Sequence, residues 1–246
     1  MSIVYKEVTV LSNEEIQKGI FKLVVKSDDE IKCGQFYMLK AKNVFLPRPI
    51  SICKKEDDKL TFVYAVVGSG TEKISKLRSL DKINITGPLG NGFNVDENLG
   101  KVALVSGGIG IAPMLEVARE LREKNTASNI DLYAGFRDDL YLVDEFEDYI
   151  NNINIATNTG KHGTKGFVTD ILKAKDYDVV LCCGPEVMMK EVIRICKECN
   201  TKIYVSMEKH MACGVGACLV CTCKTKEGNK RTCKDGPVFD GDYVEL

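Results

Sequence analysis

Histidine is nearly absent from the 246 residues: there are two, His162 and His210. No convincing hydrolytic triad or histidine-based metal site can be drawn around them. An excess of either charge is lacking too. Thirty-four basic residues against 35 acidic ones leave a formal net charge of -1, which removes the electrostatic case for nucleic acid or an anionic membrane as a partner. No apolar run approaches the ~18 residues of a spanning helix. Residues 1–7 lack the basic stretch and following apolar run of a signal peptide. The expectation is a cytoplasmic protein that engages neither nucleic acid nor membrane. No internal repeat or low-complexity segment occurs, and the length suffices for two domains and a small appendage.

Cysteine, by contrast, is abundant, with eleven residues. In a reducing compartment they are free, metal-bound or catalytic rather than paired. Five fall between Cys213 and Cys233, and four of these are spaced Cys213-x4-Cys218-x2-Cys221-x11-Cys233. The first three match the plant-type ferredoxin spacing of a [2Fe–2S] cluster. Gly214 and Gly216 permit the tight backbone path that a cluster needs, and Ala212 and Ala217 leave it room. A four-cysteine zinc site is the alternative, although zinc pairs follow a shorter spacing. Cys223 stands two residues beyond Cys221. In an extended segment both side chains point the same way, so Cys223 is a spare thiol or an alternative ligand.

The chain divides into three. Residues 1–99 carry short β-branched runs at 4–11, 20–26, 35–41, 60–67 and 82–86, with one helix at 72–79. This pattern predicts an antiparallel β-barrel. Residues 100–207 alternate strands (101–106, 130–135, 152–157, 178–183, 202–207) with helices, the first opened by Pro113 and another over 185–199. That alternation predicts a parallel sheet with helices on both faces. Residues 208–246 are Gly- and Cys-rich with little periodicity, so a ligand must organise them. The fold class is therefore α+β multidomain.

Three further segments carry chemistry. Gly107, Gly108 and Gly110 lie between a strand and a helix, where backbone N–H groups and the helix dipole can face a pyrophosphate. They are not the full G-x-G-x-x-G fingerprint, and a plain β–α turn is the bland alternative. Cys183, Gly184 and Pro185 form a second β–α corner. Ligands in open α/β sheets bind at such strand ends, so both corners face one crevice, with Cys183 in it or simply in the core. In the first domain, Arg48-Pro49-Ile50-Ser51 follows a strand, and Arg48 offers a donor fork suited to phosphate. Gly70 and Thr71, after Val63-Tyr64-Ala65, are placed for a diphosphate or a flavin edge. Either segment alone is more often a surface turn.

The order of these signals resembles the ferredoxin-reductase superfamily. The run from Glu208 to Cys218, the run from Cys233 to Phe239 and the segment Gly87-Pro88-Leu89-Gly90-Asn91-Gly92-Phe93 are similar to electron-transfer subunits of dihydroorotate dehydrogenase B. The resemblance spans essentially the whole chain. It implies FAD in the barrel, held by Arg48, Pro49, Ile50, Ser51, Val63, Tyr64, Ala65, Gly70 and Thr71. It implies NAD in the α/β domain and a [2Fe–2S] cluster on Cys213, Cys218, Cys221 and Cys233. The implied partner is an FMN-containing catalytic subunit that oxidises dihydroorotate in pyrimidine synthesis, in a heterotetramer with two of each chain. Electrons would run from partner FMN through cluster and FAD to NAD, and no residue of this chain is assigned an acid–base role. Two rivals remain: a subunit passing electrons from NAD(P)H to a ferredoxin, hydrogenase or sulfur-reducing partner, and a zinc-stabilised nucleotide-binding regulator. Ala65 stands where the family often has Arg, and Asn158-Thr159-Gly160 lacks a common Asp-Gly pair. Arg137 and Asp138 give opposite signals for a 2′-phosphate and a 2′-hydroxyl.

Overall fold

The computed structural model describes residues 3–246; Met1 and Ser2, which begin the N-terminal stretch read above, lie outside the described residues. Six strands form the first domain: β1 (Val4–Gln17), β2 (Ile20–Lys26), β3 (Phe36–Lys40), β4 (Arg48–Glu56), β5 (Lys59–Ala65) and β6 (Lys82–Leu89). They close into an antiparallel barrel in the order β1-β2-β5-β4-β3-β6. Leu23 and Val25, Tyr37 and Leu39, Phe62 and Tyr64, and Ile83 and Ile85 fill its interior, following the two-residue period of each strand. Helix α1 (Ser69–Ser75) follows β5.

The sequence pattern missed β4. Arg48-Pro49-Ile50-Ser51 is no turn after a strand but the start of one. Pro49 sits near the strand's beginning, opposite Met38, where a missing donor is tolerated. Helix α1 starts three residues before the expected 72. Thr71 Oγ1 accepts the Val67 N–H at 3.0 Å and donates to the Gly68 carbonyl at 3.0 Å, which fixes its entry there.

The second domain is built on β7 (Lys101–Gly107), β8 (Asn129–Phe136), β9 (Asn152–Thr157), β10 (Thr164–Lys165), β11 (Val179–Cys183) and β12 (Lys202–Ser206), all parallel to one another. Helix α2 (Ile111–Lys124) packs on one face with Val102, Leu104 and Leu181. Helices α3 (Val168–Ile171) and α4 (Glu186–Glu198) pack on the other with Ala103, Val105 and Val180. A 3₁₀ turn at Gly108–Gly110 precedes α2. Pro113 is therefore third in the helix rather than first, still within the turn whose N–H groups lack intrahelical partners.

Helix α2 also joins the two domains. Glu116, fully buried, accepts the Lys55 N–H at 3.0 Å and pairs with Arg119. Glu120 accepts the Cys33 N–H at 2.9 Å and pairs with Lys124 at 2.6 Å. Both carboxylates thus satisfy barrel backbone donors that the interface takes out of water.

After β12 come the hairpin β13 (Thr222–Thr225) and β14 (Gly228–Arg231), the short helix α5 (Thr232–Asp235) and β15 (Val238–Asp240). The last strand returns to the sheet, antiparallel to β12, giving the order β10-β9-β8-β7-β11-β12-β15. The cluster segment is thus bracketed by sheet at both ends. The Gly87–Phe93 segment clasps it to the barrel. The Asn91 amide donates to the Val238 carbonyl at 3.0 Å and to the Asp235 carbonyl at 3.2 Å, and its oxygen accepts the Val238 N–H at 3.2 Å. Asn91→Leu removes all three bonds. The expected cost is about 2 kcal/mol, with faster amide exchange in residues 235–238 than in β7, read by hydrogen exchange.

Candidate functional site: two crevices and a group of thiols

The first crevice, of about 630 Å³, opens where all three parts of the chain meet. Arg48, Pro49, Ile50, Ser51, Val63, Ala65 and Thr71 line it from the barrel, Ile109 and Pro113 from the α/β domain, and Glu208–Met211 with Pro237 from the C-terminal segment. Gly70 does not line it but makes room for it. A Cβ there would strike the Arg48 guanidinium at 2.6–2.7 Å, so the glycine lets Arg48 lie against the start of α1. The Arg48 Nη1 donates to the Leu46 carbonyl at 2.7 Å. Tyr64 borders the crevice, but its ring belongs to the barrel interior and its hydroxyl donates to Asn13 at 3.1 Å. Strand alternation explains the difference: Val63 faces outward toward α2, and Tyr64 faces in.

The second crevice, about 1080 Å³, lies at the C-terminal ends of β7, β8, β9 and β11. Gly107, Gly108, Gly135, Arg137, Asn158, Gly184 and Pro185 line it, with Phe167 and Val187 on its walls. The two predicted corners do meet here. A Cβ on Gly107 would lie 2.6 Å from Met188 Sδ and 2.9 Å from Pro185 Cδ, so this close approach requires glycine. Gly110 plays another part: it is buried against the Cys183 carbonyl and lines neither crevice. The Cys183 thiol is 1% exposed and belongs to the core, not to a crevice wall. Burial, followed by the charge of Glu208, pushes it up. Beside it in register, Ser106 keeps a buried hydroxyl with no protein partner, and it lines neither crevice. Arg137 faces the crevice, whereas Asp138 is turned away and held by the Thr159 hydroxyl.

The thiols lie beyond the first crevice. Gly214 and Gly216 take φ values of 72° and 81°, which bring the loop around as expected. Cys221 and Cys233 form one pair, Sγ to Sγ 3.2 Å, and the Gly216 N–H donates to Cys233 Sγ at 3.1 Å. Burial and then the neighbouring Cys221 thiol push Cys233 up. Cys213 and Cys218 form the other. Burial opposes ionisation of Cys213, but the N–H groups of Cys218, Val215 and Ala217 and the Cys218 thiol outweigh it and bring the pKa down to about 6. Among the described residues, no three His, Cys, Asp or Glu side chains are gathered tightly enough to hold a single ion. Two thiol pairs suit a binuclear cluster better than a tetrahedral zinc site, whose four thiolates converge on one point.

Cys223 is not among them. Cys221 still belongs to the turn before β13, so strand alternation does not begin until Thr222 and the expected common direction fails. Cys223 is buried with Phe239 and Val244 against the sheet. Cys221 and Cys233 instead pack with Phe36, Met38, Leu89 and Met211. Phe36 and Met211 also line the first crevice, so one layer of side chains separates it from the thiols. His210 lines that crevice too and does not join the thiols.

Two family models match. One, described as the iron–sulfur cluster binding domain of dihydroorotate dehydrogenase B, covers residues 208–245, and an oxidoreductase NAD-binding domain covers residues 104–194. The electron transfer subunit of dihydroorotate dehydrogenase B (NAD(+)) from Clostridium perfringens is 59% identical over 246 residues, covering 100% of both chains. The chain belongs to this family. The Clostridium acetobutylicum member is 52% identical over 239 residues, 96% of each chain. Among solved structures, one described as an NADH-dependent reduced ferredoxin–NADP oxidoreductase superposes with a TM-score of 0.88. It is 30% identical and covers 97% of this chain and 89% of its own. A ferredoxin NADP+ reductase from Neisseria gonorrhoeae, with bound FAD and NADP, superposes with a TM-score of 0.65 at 16% identity, over 85% and 95% of the two chains, and shares the fold.

Sequence reading missed Phe36, Glu208 and Met211. Glu208 follows β12 at a strand's C-terminal end, the position where ligands gather in such sheets, and that signal was available. Phe36 and Met211 carry no comparable mark, because an apolar residue beside a site looks like any other core residue.

Proposed function

We propose that this chain carries electrons between an FMN-containing catalytic subunit, which oxidises dihydroorotate, and NAD+, through a [2Fe–2S] cluster and FAD. One observation carries this reading: the first crevice touches the thiol layer at Phe36 and Met211 and the second crevice at Ile109 and Glu208. Nicotinamide exchanges electrons in pairs as hydride, the cluster exchanges them singly, and a flavin between them can do both.

The chain's own residues bind, orient and shield. Cys213, Cys218, Cys221 and Cys233 hold the iron, and backbone N–H groups donating to their sulfurs favour the ionised form. Phe36, Met38, Leu89 and Met211 keep water from Cys221 and Cys233. Arg48 supplies a fixed positive charge for the flavin's diphosphate, with Pro49, Ile50, Ser51, Val63, Ala65 and Thr71 beside it. Gly107, Gly108, Gly184 and Pro185 leave backbone open to the dinucleotide. The chain works in the cytoplasm, in a heterotetramer with two copies of each subunit and without nucleic acid or membrane. Among the described residues no helix is long and apolar enough to cross a bilayer.

Arg48→Ala is expected to weaken FAD binding about tenfold to a hundredfold, measured by flavin fluorescence titration, while iron content stays constant. The reading as a whole is tested by reconstitution with a dihydroorotate-oxidising FMN subunit, alongside iron, sulfide and flavin counts. Dihydroorotate-dependent reduction of NAD+ is the expected result, and its absence in a fully loaded complex would overturn the choice of partner. The ferredoxin–NADP oxidoreductase similarity favours a second reading, in which the partner is a ferredoxin-type carrier. The same complex, offered NADH and ferredoxin, separates the two.

A further inference from the structure

Net charge and hydrogen bonds to the sulfurs set how readily an iron–sulfur site accepts an electron. An electron that reaches a group held by four thiolates brings no proton with it. The site becomes one unit more negative, and a fixed positive charge nearby favours that change. Among the described residues, one cationic side chain bonds to the loop between Cys213 and Cys221, and it is Arg231.

Arg231 ends β14, and Asp235 ends α5 one turn later. The Asp235 carboxylate accepts the Arg231 backbone N–H at 2.8 Å, Nε at 3.0 Å and Nη2 at 3.1 Å. Two parallel bonds between one guanidinium and one carboxylate fix the plane of the fork. The opposite corner, Nη1, donates to the Gly216 carbonyl at 3.3 Å. Gly216 in turn donates its N–H to Cys233 Sγ at 3.1 Å. A Cβ on Gly216 would lie 2.9 Å from Lys234 Cδ, so the Lys234 stem packs against the same residue. The fork and the stem together hold the donor that faces the ligand sulfur.

We propose that Arg231 is a positioning residue for the cluster: it holds the Gly216 N–H on Cys233 and presents a permanent positive charge that eases reduction. Asp235 takes one edge of the guanidinium and the thiol loop takes the opposite corner, so the pair is a dipole with its positive end toward the sulfurs. Asp235 favours the charged guanidinium most, and the Cys233 and Cys221 thiols add to it. Other cations are less well placed. Lys209 is engaged with Glu186 at 3.0 Å, and Lys230 lies 3.9 Å from Glu227. Lys234 is exposed, so water and salt screen its charge. The Arg231 side chain is 33% exposed and is screened in part, which keeps the expected effect modest. The proposal rests on the reading that the four thiols hold a [2Fe–2S] cluster.

The test is a reductive titration of the loaded heteromeric complex followed by electron paramagnetic resonance, with iron release to a chelator measured in parallel. Arg231→Gln is expected to make one-electron reduction of the cluster about tenfold less favourable, a fall of about 59 mV in midpoint. Part of that difference is expected to vanish at high salt. Arg231→Lys keeps the charge without the fork. It is expected to hold most of the potential and to release iron faster than wild type. Asp235→Asn removes the opposing charge and is expected to raise the midpoint. The two changes break the same pair yet shift the midpoint in opposite directions, whereas a purely structural pair would shift it the same way. Lys234→Gln is expected to give a smaller shift than Arg231→Gln. A wild-type midpoint in Arg231→Gln, equal shifts in Arg231→Lys and Arg231→Gln, a lower midpoint in Asp235→Asn, or an equally large shift in Lys234→Gln would each overturn the proposal. If Arg231→Gln assembles no cluster, the Arg231→Lys and Asp235→Asn midpoints decide: a large fall in either overturns it. Wild-type protein that binds zinc in place of iron would instead overturn the reading of the thiols.

Discussion

Cys221→Ser is expected to strip the protein of its cluster and stop transfer to the partner, while NADH still bleaches the bound FAD. The same holds for Cys213, Cys218 and Cys233. Losing a ligand removes more than the roughly 10–100-fold in metal affinity that changes around a ligand cost, so iron and sulfide contents fall toward zero under dialysis. Cys223→Ser is the contrasting case. Its side chain faces Phe239 and Val244 rather than Phe36 and Met38, and a buried hydroxyl in place of the thiol costs about 1–2 kcal/mol without touching the iron. A visible spectrum and iron count of the five variants decide the assignment. Cluster loss in Cys223→Ser alone would replace one of the four ligands named here.

Glu116→Ala is expected to have the largest effect on stability. The carboxylate is fully buried, accepts the Lys55 N–H and is paired with Arg119. Its removal leaves the Lys55 N–H of the barrel without an acceptor and Arg119 held by Glu123 alone. Losing this buried acceptor costs about 3 kcal/mol, and the loss falls on the contact between barrel and sheet. Denaturant unfolding is expected to show a lower midpoint, and flavin, which we propose lies in the first crevice, to dissociate early because that crevice straddles the contact. Glu116→Gln keeps one acceptor and is expected to lose less. Equal midpoints for wild type and Glu116→Ala would show that apolar packing around α2 holds the domains together unaided.

Much of this architecture could be read in advance, for identifiable reasons. The central parallel strands β7, β8, β11 and β12 are largely buried apolar runs and were placed within a residue of their observed bounds, and β9 at its own. The two-residue edge strand β10 was missed because Thr164–Lys165 is exposed and carries no such run. The gathering of thiols between Cys213 and Cys233 was legible because spacing is a local property. Strand β4 was not, since its first residues include a proline and its partners, β3 and β5, supply the reason it is extended. The direction of Cys223 was misread because it depends on where the turn ends and the strand begins. The glycine corners were found, but their division of labour was not. Gly107 permits contact between two corners and Gly110 seats against a carbonyl, and neither fact exists until both corners are folded. Glu208 escaped because its importance lies in being shared by two crevices, a relation that no single segment displays.

The return of β15 to the sheet has a consequence for how iron is acquired. Cys213 and Cys233 lie on a length of chain whose two ends are already fixed, by β12 on one side and β15 on the other. A free tail carrying the same cysteines would have to close that loop itself, an entropic penalty that grows with the logarithm of its length. Pairing of β15 with β12 closes it as part of the sheet. A peptide of residues 208–246, which lacks β12, is therefore expected to take up iron and sulfide less readily than the whole chain.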